Sequence, residues 1–183
     1  MNRRAIIGAI GAVLLAFLTL YFASPLFAFQ ALKGAVKSGD QDALEKHVDF
    51  PAIRGSLKSQ MNAQLLANMQ QDPDLRDNPF AGLAFMMAPA IVDRAVETIV
   101  TPEGLSALVS SGEVRSEDGV RPNSNPANKP KAKMGYKDLD TFTVSFDAEG
   151  EGATRTTTLV MKRQGLFDWK LKRVDLPKNL LQA

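Results

Sequence analysis

The sequence predicts an α+β domain hung from an N-terminal transmembrane helix, with several helices packed on a C-terminal antiparallel sheet of three or more strands. Three observations lead there. Ala5 to Phe22 holds eighteen residues without a charge, directly behind the basic start Met1-Asn2-Arg3-Arg4. Apolar residues then recur at helical spacing as far as about residue 110. From Phe142 onward they alternate with polar ones, which is the period of a strand. The chain divides accordingly into a basic start at 1–4, an anchor at 5–23 and a helical part at 24–110. A flexible loop at 111–135, a sheet part at 136–177 and a tail at 178–183 follow.

At about 1.5 Å per residue, eighteen helical residues cover about 27 Å, close to the hydrocarbon core of a bilayer. No charge appears between Arg4 and Lys33. The two arginines should stay in the cytoplasm, so the expected location is a single pass through the inner (cytoplasmic) membrane with the C-terminal domain outside the cytoplasm. A cleavable signal peptide has the same layout. Its cleavage, however, needs small residues around the cut. Tyr21 or Leu26 would stand three positions before cuts after Ala23 or Ala28, and Pro25 would follow a cut after Ser24. An uncleaved anchor is the stronger reading.

Without cysteine there is neither lipidation at such a junction nor any disulfide, so the domain must be held by its core. Arg3 and Arg4 account for the whole excess of 22 basic over 20 acidic residues. A neutral remainder argues against a nucleic-acid partner. That neutrality hides a gradient: residues 33–119 carry 8 basic and 13 acidic groups, residues 120–183 carry 12 and 7. The simplest account sets two oppositely charged parts of one domain against each other. The alternative makes the basic half a sensor of anionic lipid or cell-wall polymer.

Ser24-Pro25 can restart a helix, with Ser24 as cap, and Leu26, Phe29, Leu32 and Val36 form its apolar face. Gly39 ends it and Asp40 caps a short helix through Leu44 and Lys46. Asp49 is the natural cap of the next helix, with Pro51 in its first turn and Ile53, Leu57, Met61, Leu65 and Met69 recurring every four residues. Asp72-Pro73 stops it. Phe80 to Met87 is apolar on every side and reads as core, bounded or kinked by Pro89, with Pro89 to Val100 as a core helix. Thr101-Pro102-Glu103 opens a further helix. Phe142, Val144 and Phe146 mark the first strand, Thr156 to Arg163 the second, and Phe167, Trp169 and Leu171 the third. Glu149-Gly150-Glu151-Gly152 and Gln164-Gly165 make the turns between them.

Three passages together carry a resemblance. They are Ala31-Leu32 through Ser38-Gly39-Asp40, Val48-Asp49-Phe50-Pro51 with Ile53-Arg54 and Ser56-Leu57-Lys58, and Phe167-Asp168-Trp169-Lys170-Leu171 to Leu176-Pro177. Over most of residues 25–177 the chain resembles the bacterial family known as domain of unknown function 2939. The resemblance implies an N-terminal anchor or signal and no assigned activity. Early helices before a late Trp-Lys strand are also similar to the nuclear-transport-factor-two-like and cystatin-like cones, which wrap a curved sheet around a helix and often host a pocket. Fold analogy alone assigns no function.

Catalytic signatures are scarce. His47 is the sole histidine, and Asp40 and Asp49 near it are explained as helix caps, so no metal site and no cofactor is expected. There is no Gly-x-Ser-x-Gly elbow and no phosphate loop. Should a pocket exist, Asp49, Tyr136 and Trp169 are the candidates for its wall. Two readings remain. The first is a non-enzymatic envelope domain, anchored in the membrane, that binds a protein or a small ligand. The second is a small-pocket enzyme using a carboxylate as acid or base, which requires a buried carboxyl with a raised pKa.

Overall fold

The computed structural model describes residues 3–71, 81–110, 131–150 and 153–177. Its first helix, α1 (Arg3–Ser38), is 36 residues long and unbroken, so at about 1.5 Å per residue it extends about 54 Å. The expected restart at Ser24-Pro25 is therefore corrected, because the proline lies inside the helix. Proline has no N–H, so the carbonyl of Tyr21 loses its usual donor. The Ser24 hydroxyl replaces it, donating to Tyr21 O at 2.8 Å. In turn the Trp169 indole N–H donates to Ser24 Oγ at 2.8 Å. Ser24 and Pro25 are both buried.

Gly39 ends α1 at φ +64°, a left-handed conformation that suits glycine. Asp40 then caps α2 (Gln41–His47), its carboxylate accepting the Ala43 N–H at 3.1 Å. The chain next runs briefly along the sheet: Val48 bridges Leu171 in parallel, and the Asp49 N–H donates to Leu171 O at 2.8 Å. Asp49 also caps α3 (Phe50–Gln71), accepting the Ala52 N–H at 3.1 Å. The sheet is an antiparallel meander in the order β1-β2-β3-β4. Its strands are β1 (Lys131–Asp138), β2 (Thr141–Gly150), β3 (Ala153–Arg163) and β4 (Trp169–Asp175).

Strand β1 corrects the expected loop at 111–135, since Lys131 to Gly135 pair with Asp147 to Thr143 of β2. Residues 111–130, the Asp72-Pro73 stop and the tail at 178–183 lie outside the described residues. The core lies between α1, α2, the start of α3 and one face of the sheet, where Phe29, Leu32, Leu44, Phe50, Val144 and Met161 meet Trp169. Each fully buried large side chain there contributes about 1.5–3 kcal/mol of transfer free energy.

The outer edge of β4 is covered by α3. Gln60 donates to Val174 O at 2.8 Å and accepts the Leu176 N–H at 2.9 Å, so one side-chain amide pairs the exposed ladder as a strand would. Between the acidic and basic halves an ion pair forms from Asp49 to Lys172, at 3.2 Å.

The helix α4 (Ala81–Ile99) corrects a second expectation. It runs through Pro89 and is not a core helix: Val96 is buried, but Met86, Met87, Ile91 and Ile99 are exposed. Polar contacts link its end to α3, from Lys58 to Glu97 at 2.8 Å and from Arg54 to the carbonyl of Val100, one residue past the helix, at 3.0 Å. The last described helix element, α5 (Pro102–Ser110), opens on Thr101, whose hydroxyl accepts the Gly104 N–H at 2.9 Å.

Candidate functional site

A concavity follows from how α1 meets the β3–β4 turn. Because α1 continues unbroken past Pro25, its stripe Leu20, Ser24, Phe27, Ala28 and Ala31 faces the segment Gln164 to Lys170 across an open-sided groove of about 600 Å³. That volume falls within the range of about 300–1,000 Å³ occupied by small-ligand sites. Trp169 and Phe167 form the far wall, and Lys46 and His47, at the C-terminus of α2, close one end.

The two ends of the groove differ in chemistry. Leu20, Phe27 and Phe167 are apolar and largely exposed, and Leu20 belongs to the uncharged segment of α1. At the other end Lys46, His47 and Lys170 gather, with Asp168 as the acid beside them. Lys170 Nζ also donates to the Glu45 carbonyl at 3.1 Å, which satisfies the end of α2. Burial lowers the His47 pKa from its ordinary value, the charges of Lys46 and Lys170 lower it further, and Asp168 opposes them. The imidazole thus sits in a positive local field and is held mainly neutral.

Beside the groove an aromatic and cationic cluster ties α1 to the sheet. The Tyr136 hydroxyl donates to the Phe22 carbonyl at 3.0 Å, and its ring meets Trp169 edge-on with 6.0 Å between centroids. Burial raises the Tyr136 pKa, against the nearby charge of Arg163, so the phenol remains protonated. The Arg163 guanidinium lies over the rings of Tyr21 at 3.9 Å and Trp169 at 4.4 Å. Phe167 packs edge-on against Phe17 of α1, at 5.7 Å.

Of the three residues anticipated as pocket wall, Trp169 lines the groove and Tyr136 stacks on Trp169. Asp49 stands apart, as cap of α3 and ion-pair partner of Lys172. Desolvation pulls its pKa upward, but the Ala52 N–H and the hydrogen bond and charge of Lys172 outweigh it, leaving the carboxyl below its ordinary value. Such a group is ionised at neutral pH and is unsuited to serve as a general acid. Among the described residues no cluster of three metal-ligating side chains forms. Phe27, Ala31, Lys46 and Lys170 were not picked out from sequence. No motif in sequence marks them, because they converge only through the unbroken helix past Pro25.

The family model described as Protein of unknown function (DUF2939) matches residues 14–108, from within the uncharged segment of α1 to α5. No curated protein and no solved structure matches the chain.

Proposed function

We propose that this chain, which belongs to the family of proteins of unknown function DUF2939, is a single-pass, membrane-anchored binding protein. Its domain stands outside the cytoplasm, and the groove beside the anchor takes up an amphipathic ligand with an anionic end. The structure does contain one helix long and apolar enough to cross a membrane, and its most apolar window is not buried inside the protein. Arg3 and Arg4 favour the cytoplasm for its N-terminus. An uncleaved anchor is supported by the packing of its outer end. Phe17, Tyr21 and Phe22 contact Phe167, Arg163 and Tyr136, and a cut after Ala28 would leave the Trp169 N–H without its acceptor.

The groove's polarity is the observation that carries the ligand assignment. Its apolar end continues the uncharged surface of α1, where an alkyl chain is already at home, and at the other end the two cations Lys46 and Lys170 against the single acid Asp168 favour negative charge. An ionised Asp49 in a capping role removes the leading candidate for the raised carboxyl that the enzymatic reading requires.

Native mass spectrometry of the full chain, released from membranes in mild detergent, tests this reading. One amphipathic acid should be retained per chain. Ala31→Phe, which fills the groove from an exposed position, should abolish retention while leaving the fold intact. Equal retention by wild type and Ala31→Phe would refute the assignment.

A further inference from the structure

The β1–β2 turn and the β3–β4 turn lie at the same end of the meander, and both are tipped with apolar side chains. Leu139 is 63% exposed, Leu166 63% and Phe167 42%. Much of the apolar surface of these side chains is left uncovered by the domain. We propose that these two tips form a second membrane contact, entering the interfacial layer of the same leaflet through which α1 leaves the bilayer. The proposal rests on the reading of α1 as an uncleaved membrane span.

The length of α1 supplies the main argument. Phe167 packs on Phe17, five residues below Phe22, where an eighteen-residue span counted from Ala5 ends. At about 1.5 Å per residue, the tip of the β3–β4 turn therefore reaches about 7.5 Å below that end. Lifting the tips clear of the bilayer would require the span to finish at Phe17. Ala5 to Phe17 would then cover only about 20 Å of a hydrocarbon core of about 30 Å. The apolar length of the helix and its contact with Phe167 together bring the tips to the lipid.

The surroundings of the tips fit that depth. Tyr21, Phe22 and Tyr136 form a ring of aromatic residues just above them, as at the headgroup level of membrane proteins. Arg163 makes the two turns one body. Its backbone N–H donates to Asp140 O at 2.9 Å, its Nε donates to Leu139 O at 3.2 Å, and its Nη1 donates to Leu166 O. The groove mouth, walled by Leu20 and Phe167, then opens at the lipid surface.

A chain without cysteine allows single-site labelling. Leu139→Cys, Leu166→Cys, Leu14→Cys in the span and Thr156→Cys would each carry a nitrobenzoxadiazole fluorophore, in the full chain reconstituted into vesicles. Thr156 is exposed and lies seven residues from Arg163 along β3, about 23 Å away. Lipids brominated high on the acyl chain should quench the labels at 139 and 166 at least fivefold more than the label at 156, and the label at 14 should also be quenched. Quenching at 14 with 139 and 166 matching 156 would overturn the docking proposal and leave the anchor standing. Absence of quenching at 14 would refute the anchor, and the docking proposal with it.

Discussion

Two regions of this molecule are equally rich in apolar residues and are held in opposite ways. At the junction of α1 with the sheet, Phe29, Leu32, Phe142 and Trp169 are buried, and the carbonyl freed by Pro25 has a partner. Along α4, Ile91 is 64% and Met86 82% exposed, and exposed or half-buried polar groups link its end to α3. Apolar content alone therefore does not make a core. A stripe is buried when a second element with its own apolar face is geometrically bound to meet it, as the sheet meets α1. The difference also ties the groove to stability, because the strongly held junction is the one that shapes it.

The largest effect that would break this contrast is at Trp169. Trp169→Ala should destabilise the domain by about 3–5 kcal/mol, read from the urea midpoint of the full chain in micelles by circular dichroism. Trp169→Phe and Ser24→Ala isolate the polar part. The first removes the indole donor, while the second strips both the Tyr21 carbonyl and the Trp169 N–H of their partner, at about 1–3 kcal/mol. A double variant costing much less than the sum would identify the relay as one unit.

Gln60→Ala should follow, at about 1–3 kcal/mol, because it leaves Val174 O and Leu176 N–H on the β4 edge without their shared partner. Amide exchange at Leu176 should accelerate with it. On α4, by contrast, Met86→Ala and Ile91→Ala should each change stability by less than about 0.5 kcal/mol. A loss of 2 kcal/mol or more at either position would mean that α4 is buried against something in the intact protein, and the contrast would fall.

Two titrating groups give smaller, pH-dependent effects of the same sign. Asp49 has its pKa lowered in the folded chain, so its contribution is complete above the ordinary aspartate value of about 3.9 and is lost as the pH falls through the lower, folded one. His47 also has its pKa lowered. The unfolded chain takes up that proton first, so stability declines as the pH drops from about 6.5 to the folded value and is flat below it. His47→Gln should remove the upper of the two declines and leave the lower one unchanged.

The legible parts of the fold are those set by local chemistry. Gly39-Asp40, Asp49-Pro51 and Thr101-Pro102 act on neighbours three or four residues away, and the structure uses all three as expected. Pro25 could not be read correctly because the group completing its repair, Trp169, lies 145 residues from Ser24. Strand β1 was hidden because its lysines at 131, 133 and 137 resemble a solvated loop, yet they are also what an edge strand carries to discourage further pairing. The groove was illegible for a related reason. Lys46, Phe27 and Lys170 form no motif in sequence and converge only because α1 is unbroken and the β3–β4 turn lies beside it.

That continuity underlies both the groove and the proposed contact with the bilayer, so it should be measured first. Nitroxide labels at Leu15→Cys and Lys33→Cys stand eighteen residues apart on α1, both at exposed positions. Double electron–electron resonance on the full chain in nanodiscs should give one narrow distance distribution centred at about 27 Å, as an unbroken helix requires. A broad distribution, or one centred several ångströms shorter, would place a hinge at Ser24-Pro25 and contradict the account.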